Sequence, residues 1–322
     1  MKTQLIVARK AQGDMLDLSN CTVTASWTTQ RTSSPGTFKF TYIRTPASKI
    51  EEGDVVRFSV DGEMQFYGWV FTRSQDRWGP VEVVCYDRLR YLKANASYSF
   101  YHQTAAQIIR QIAEDLQVAV GELADTGYSI PSLIEQDKSC IDIITEAVQK
   151  TLLNTGKVYV FYDDGNGLAL QEAAQMVCPY VLGEKSLMTD YTYKTDIDSQ
   201  TYNSVKLVHP NEETGKADVF IMQDSANIGK WGLLQLYQTV DGAENDAQVK
   251  SQAQVSLEYY NRVLQTLRFS ALGINGLRAG QMLMGNIDDL DGEAFRKYVM
   301  LEKVVHKWEN DLHTMEIEAK AL

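Results

Sequence analysis

Nothing in this 322-residue chain stays apolar for the roughly 18 residues that a membrane-spanning helix needs. The apolar run near the N-terminus, LIVA (5–8), is too short for the core of a secretory signal. A cytoplasmic place of synthesis is therefore expected. Cysteine is scarce: Cys21, Cys85, Cys140 and Cys178 lie far apart and form no CxxC pair, which predicts reduced thiols mostly in the interior. The four histidines, His102, His209, His306 and His313, do not fall at zinc-ligand spacing from those cysteines, so no metal site or cofactor is expected. Basic tracts are absent, and the net charge is −11. That balance opposes sequence-independent binding to nucleic acid, which needs a positive field. An acidic surface would instead keep a polyanion from sticking as it passes.

The usual catalytic signatures are missing as well. There is no P-loop, no GxGxxG, no GxSxG elbow and no Cys–His signature. DDGNG (163–167) looks like the start of a calcium loop, but the twelfth position counted from Asp164 holds Gln175 where an EF-hand needs glutamate, so a hairpin turn is expected. NIDDLDGE (286–293) reads as a solvated hairpin loop for the same reason. Adjacent acids at Glu51-Glu52, Asp163-Asp164 and Asp288-Asp289 point to opposite faces in strands and toward water in turns, a poor start for a paired-carboxylate hydrolase. His209, His306 and His313 read as polar strand-face residues. The aromatic stretches near Tyr98, Tyr191 and Tyr259 lack a Lys/Arg groove and read as core or interface.

What is present is β texture, broken once by helices. From Lys2 to about Leu92, LIVAR, CTVTASW, TFKFTYI, VVRFSV, MQFYGWVF and VEVVCY alternate or run β-branched. SSPG, EEGD, DG and WGP supply turns between them. TAAQIIRQIAEDL (104–116) carries an apolar stripe and a Thr104/Gln107 capping box; a second helix runs from about Cys140, after Ser139, to Leu153. VYVFY and LALQE flank the DDGNG turn as a hairpin. TYNSVKLVHP and DVFIMQD flank the turn NEETGKA, and one long helix is expected from about 246 to 266. It should lie on the last barrel through Leu257, Tyr260, Leu264 and Leu267.

Two distant segments are spelled alike. Residues 50–87 and 277–319 each open with an aliphatic residue three before a glycine, Ile50 and Gly53 or Leu277 and Gly280. Each continues through a strand, an Asp-Gly hairpin (Asp61-Gly62, Asp291-Gly292), a second strand, a tryptophan (Trp78, Trp308) and a closing strand. Gly53, Gly280, Trp78 and Trp308 are thus predicted repeat positions, the glycines at tight turns of superposable copies. The fold class expected is mixed β and α+β: a first β-barrel domain at 1–95, a smaller α+β module at 96–190, and a second barrel at 191–322 bearing the long helix.

The ordered series EEGDVVRF…FYGWV, TAAQIIRQIAEDL, VYVFYDDGNGLALQE and DSANIGKWGLLQ, followed by a helix and a final Gly-containing barrel, resembles the phage baseplate hub family. That family includes the late-control-D proteins, the XkdQ-type hubs of defective Bacillus phages and the hub of T-even phages. The resemblance covers nearly the whole chain. It implies a non-enzymatic structural part of a contractile phage tail or phage-tail-like bacteriocin, assembled into the baseplate of the virion or particle. It further implies a homotrimer whose six barrels meet a hexameric tail tube on one side and a trimeric central spike on the other. DNA passage through the channel is compatible with it. The alternative from another class is a cell-wall (peptidoglycan) hydrolase of the tail tip, which would need a cleft with converging titratable groups.

Overall fold

The computed structural model describes residues 1–77, 79–211, 216–240 and 245–321. Trp78 and the middle of the NEETGKA turn lie outside the described residues.

Seven strands open the chain: β1 (Thr3–Arg9), β2 (Asp14–Asp17), β3 (Thr22–Gln30), β4 (Thr37–Tyr42), β5 (Val55–Val60), β6 (Glu63–Gln75) and β7 (Val81–Tyr86). They pair antiparallel in the order β3-β4-β7-β6-β5-β1-β2. Alternation decides which face is buried: Phe38, Phe40 and Tyr42 point inward while Thr37, Lys39 and Thr41 do not. Leu5 and Val7 of β1 share one core with Trp27 of β3, although β1 and β3 lie far apart in the strand order. The strands therefore wrap around a single centre, as the barrel expectation requires. Phe38 sits there with its ring 4.9 Å from both Phe58 and Phe66. Each such fully buried ring contributes roughly 1.5–3 kcal/mol.

After a 3-10 turn at Arg88–Lys93 comes the α+β module: β8 (Asn95–Gln103), α1 (Ala105–Asp115), β9 (Val120–Leu123), β10 (Ile130–Ser139), α2 (Cys140–Thr155), β11 (Tyr159–Asp163) and β12 (Leu168–Glu172). The capping box forms as expected, with Thr104 accepting from Gln107 and the Gln107 side chain returning to the Thr104 backbone. Ser139 caps α2, and Gly156 ends it at φ 71°, a left-handed conformation that glycine adopts without the Cβ penalty. Both helices press their apolar stripes into one core, where Ile108, Ile109, Ile112, Ile143 and Ile144 are buried.

The rest contains two sheets. β13 (Val177–Gly183), β14 (Met188–Asp196), β18 (Leu264–Leu272), β19 (Met282–Leu290), β20 (Glu293–Glu309) and β21 (Leu312–Ala321) pair in the order β14-β18-β21-β20-β19-β13 around a second core. So β13 and the first three residues of β14, which fall within 96–190, pair with strands of the last segment rather than with the module. Between β14 and β18 the chain makes an excursion through β15 (Ser204–Asn211), β16 (Lys216–Gln223), α3 (Ser225–Trp231), β17 (Gln235–Thr239) and α4 (Asp246–Tyr260), with its own small sheet β16-β15-β17.

The long helix is shorter than expected and lies elsewhere. α4 starts at the Asn245 cap but stops at Tyr260, and it buries Val249 and Ala253 against Val205 and Leu207 of the small sheet. Leu257 packs there half-buried, while Leu264 and Leu267 belong to β18. Leu264 and Leu267 fit the helical stripe, but the backbone from Leu264 onward is claimed by ladders to β14 and β21 on both sides. Tertiary pairing overrides the local period.

Candidate functional site at the joint between the two large sheets

Gly53 and Gly280 each sit at a left-handed turn closed by a pair of backbone hydrogen bonds. Gly53 has φ 87° and donates its N–H to the Val70 carbonyl at 2.8 Å; Val70 N–H returns to the Asp54 carbonyl at 2.9 Å. Gly280 has φ 91° and donates to the Leu301 carbonyl at 2.7 Å; Leu301 N–H returns to the Gln281 carbonyl at 3.0 Å. The next side chain braces each turn: Asp54 Oδ2 accepts from Glu51 N–H at 2.7 Å, and Gln281 Oε1 accepts from Arg278 N–H at 3.0 Å. Both Asp-Gly hairpins carry positive φ at both residues, 49° and 88° at Asp61-Gly62 and 58° and 87° at Asp291-Gly292. Ladder irregularities also fall at like places, after Val70 in β6 and after Leu301 in β20, and after Thr22 in β3 and after Met188 in β14. The surroundings differ. Gly53 faces open space, whereas Gly280 lies against Val160 of the α+β module.

Trp308 leads to the joint itself. It lies on β20, yet it is buried in the first core, edge-on to Phe58 at 4.8 Å. It gets there because β20 outruns β19. From Lys303 to Glu309, β20 pairs antiparallel with β3, from Lys303↔Gln30 through His306↔Trp27 to Glu309↔Thr24. One hydrogen-bonded sheet therefore runs through both halves. Side chains lock the seam. Thr29 Oγ1 accepts from Ala279 N–H at 2.9 Å, Gln65 Oε1 accepts from Gly276 N–H at 2.7 Å, and Arg31 forms a half-buried ion pair with Glu302 at 3.0 Å.

At the centre of the seam stand His306 and His313. His306 stacks on Trp27 at 5.2 Å and on Trp308 at 5.4 Å, while His313 stacks on Trp308 at 4.7 Å. His306 Nε2 lies 2.6 Å from the Leu277 carbonyl, which can only accept, so Nε2 carries the proton. Its Nδ1 is then the acceptor for Nε2–H of His313 at 2.9 Å. Burial pulls His306 down to about 3, assisted by His313 and opposed by the Leu277 hydrogen bond; burial pulls His313 down to about 4. Both rings are neutral at pH 7. His306 is fully buried rather than a polar strand-face residue. The signal was in the sequence: Val304, His306 and Trp308 share one phase of a strand, and both neighbours of His306 in that phase are apolar.

A second cluster ties the module to the seam. Asp163, expected to face water, is buried and pairs with Arg88 through Nη1 at 2.9 Å; it also accepts the backbone N–H of Arg88 and of Gly165. Asp87 accepts from Gly36 N–H at 2.7 Å and Leu89 N–H at 3.1 Å. Arg278 donates to the Asp163 carbonyl at 2.8 Å and lies 4.0 Å over the Tyr162 ring. Burial, then the charge of Asp163, holds Asp87 well above the usual carboxylate range. Burial pushes Asp163 up while Arg88 pulls it back. Asp87, Asp163, Tyr162 and Arg278 border a cavity of about 250 Å³. Both carboxylates are engaged with backbone donors, an arrangement that anchors loops. The adjacent Asp164 likewise caps its own turn by accepting from Asn166 and Gly167 N–H.

Among the described residues, one group offers metal-ligand atoms within 4.8 Å of one another: His209 of β15, Asp218 opposite it, and Asp246 at the start of α4. The four cysteines are free thiols, with Cys21 half-buried and the others buried.

A family model described as YQBQ-like matches residues 25–320. The chain is 32% identical over 273 residues to the YqbQ protein of Bacillus subtilis (strain 168), covering 84% of this chain and 81% of that one. It is 32% identical over 272 residues to the phage-like element PBSX protein XkdQ of the same organism, covering 84% and 82%. Among solved structures, a tail protein from Neisseria meningitidis MC58 superposes with a TM-score of 0.75 at 13% identity, covering 99% of this chain and 97% of that one. An Escherichia coli component of the type VI secretion system, described as similar to bacteriophage T4 tail proteins, superposes at 0.55 with 12% identity, covering 94% and 74%. On the family match and the two Bacillus relatives, this chain belongs to the YQBQ-like family.

Proposed function

We propose that the chain is the hub of a contractile-tail baseplate, a homotrimeric ring that joins a six-fold tail tube to a three-fold central spike. The observation that carries this reading is the likeness of the two halves. β3-β4-β7-β6-β5 and β14-β18-β21-β20-β19 follow the same order, with the Gly53 and Gly280 turns and two ladder irregularities at matching places. Two like barrels per chain give three chains six similar faces, enough to match every subunit of a hexameric tube; one barrel per chain would match only three. The α+β module and the small β15–β17 sheet with α4 occur once per chain, so they keep three-fold symmetry and suit a trimeric spike. The net charge of −11 supports a channel lining that does not hold DNA, since a cationic wall would trap it by counterion release.

The role is structural. The buried Asp87 and Asp163 support it, because their oxygens hold the backbone of Gly36, Leu89, Arg88 and Gly165. Light scattering on purified protein across a concentration series tests the assembly, with a mass of three chains expected at the high end. A persistent two-fold dimer contradicts it. Release of soluble fragments from purified cell walls by the protein would favour the hydrolase reading instead.

A further inference from the structure

Each large sheet ends in a strand of the same kind, but only one of the two is capped. β3 pairs with β4 on one side and with the tail of β20 on the other. Its counterpart by strand order is β14, which pairs with β18 and, among the described residues, with no strand on its outer edge. The counterpart of β20 is β6. β6 pairs with β5 up to Trp69, and past the irregularity at Val70 its residues Thr72–Gln75 pair, among the described residues, with β7 alone. One chain thus carries one completed joint and two unmatched halves of another.

We propose that β14 of one copy pairs antiparallel with the Thr72–Gln75 segment of β6 in a second copy, repeating between chains the joint that β3 and β20 make within the chain. The inference rests on the ring reading above and names the edges that would close it. The internal joint also sets the register. Gln30↔Lys303, Thr28↔Val305 and Trp27↔His306 carry over, through the aligned irregularities, to Asp196↔Thr72, Lys194↔Ser74 and Tyr193↔Gln75.

Three observations favour a second copy as the occupant. The pairing is heterologous, with different edges on the two partners, and both edges belong to this chain; repetition of such a contact makes a ring when it closes. Where β20 covers β3, Ala25, Trp27 and Thr29 are buried; the corresponding Tyr191 and Tyr193 of β14 are half-exposed and Thr195 is exposed. A nine-residue edge strand with inward-phased aromatics, left bare, is a template for another strand. Finally, the Arg31–Glu302 ion pair that flanks the internal joint corresponds to Ile197 and Phe71, so the flanking contact becomes apolar, as befits a surface covered on assembly.

The test is a cysteine cross-link in the full-length chain, in a Cys21→Ser background. Lys194→Cys and Ser74→Cys are combined, because directly opposed residues have Cβ atoms about 4.5–5.5 Å apart. Oxidation with copper phenanthroline is expected to give disulfide-linked dimers that run on to a closed trimer on non-reducing gels. The single variants and a mismatched pair, Lys194→Cys with Glu63→Cys, should give neither product. Trimers by light scattering without this cross-link would overturn the edge pairing and leave the ring standing. A cross-linked ladder extending past three chains would keep the pairing and contradict the trimer. Neither cross-link nor oligomer would overturn both.

Discussion

Gly53 and Gly280 share a backbone conformation but not a neighbourhood, which separates two costs usually measured together. An alanine Cβ at Gly53 meets nothing within 4 Å, so only the positive φ opposes it, at roughly 1–2 kcal/mol. At Gly280 the same atom would sit 2.3 Å from Val160 Cγ1, adding an overpacking cost of about 1–3 kcal/mol. Urea denaturation of Gly53→Ala and Gly280→Ala should therefore show the second as the more destabilised; equal losses would contradict the tight approach. The histidine pair gives a pH signature. Both rings bind protons more weakly in the fold, at about 3 and 4, than the ordinary 6.5. Below 6.5 the unfolded chain takes up protons that the fold refuses. Their contribution is thus complete above 6.5 and declines as pH falls toward 4. Asp87 acts with the opposite sign, since a raised carboxyl favours the fold in acid, so the comparison must be with a variant. His313→Gln keeps an N–H donor for His306 Nδ1 while removing one titrating ring. Its stability should fall less steeply between about pH 6.5 and 4.5 than the parent's. Identical slopes would mean that the pair does not titrate on unfolding.

At the scale of elements, the strands and capped helices were legible because their information is local. Thr104 with Gln107, Ser139 ahead of α2, and the alternation in β4 and β7 specify their own conformations. The last turn of the expected long helix was not legible. Leu264 and Leu267 fit a period of 3.6 from Leu257 and equally a strand, and pairing with β14 and β21 decides the matter from outside the segment. That assignment is testable by burial. Leu267 is fully buried in the second core, so Leu267→Ala should cost about 2–5 kcal/mol; Leu257, half-buried on the small sheet, should cost clearly less as Leu257→Ala. A larger loss at Leu257 would restore the helical stripe as the organising contact. The seam offers a sharper probe. Thr29→Val keeps the shape but removes the acceptor of the buried Ala279 N–H, an orphaning worth about 1–3 kcal/mol. A neutral result would show that water reaches that amide.

For the molecule as a whole, the sequence spelled two similar modules but not the sheet that joins them. Arg31 and Glu302 meet across 271 residues of chain, and no periodicity within either segment encodes such a partner. The same holds for Arg88 with Asp163, which ends a strand and was expected to face water yet is buried against a partner 75 residues away. The matching turns are what make a six-fold face from three chains conceivable, and particle symmetry tests that directly. End-on electron micrographs of the assembled particle, or of the chain with its spike partner, should show three copies arranged as a closed ring with six similar barrels around a central channel. A single copy, or two copies related by a two-fold axis with the spike present, would contradict the account.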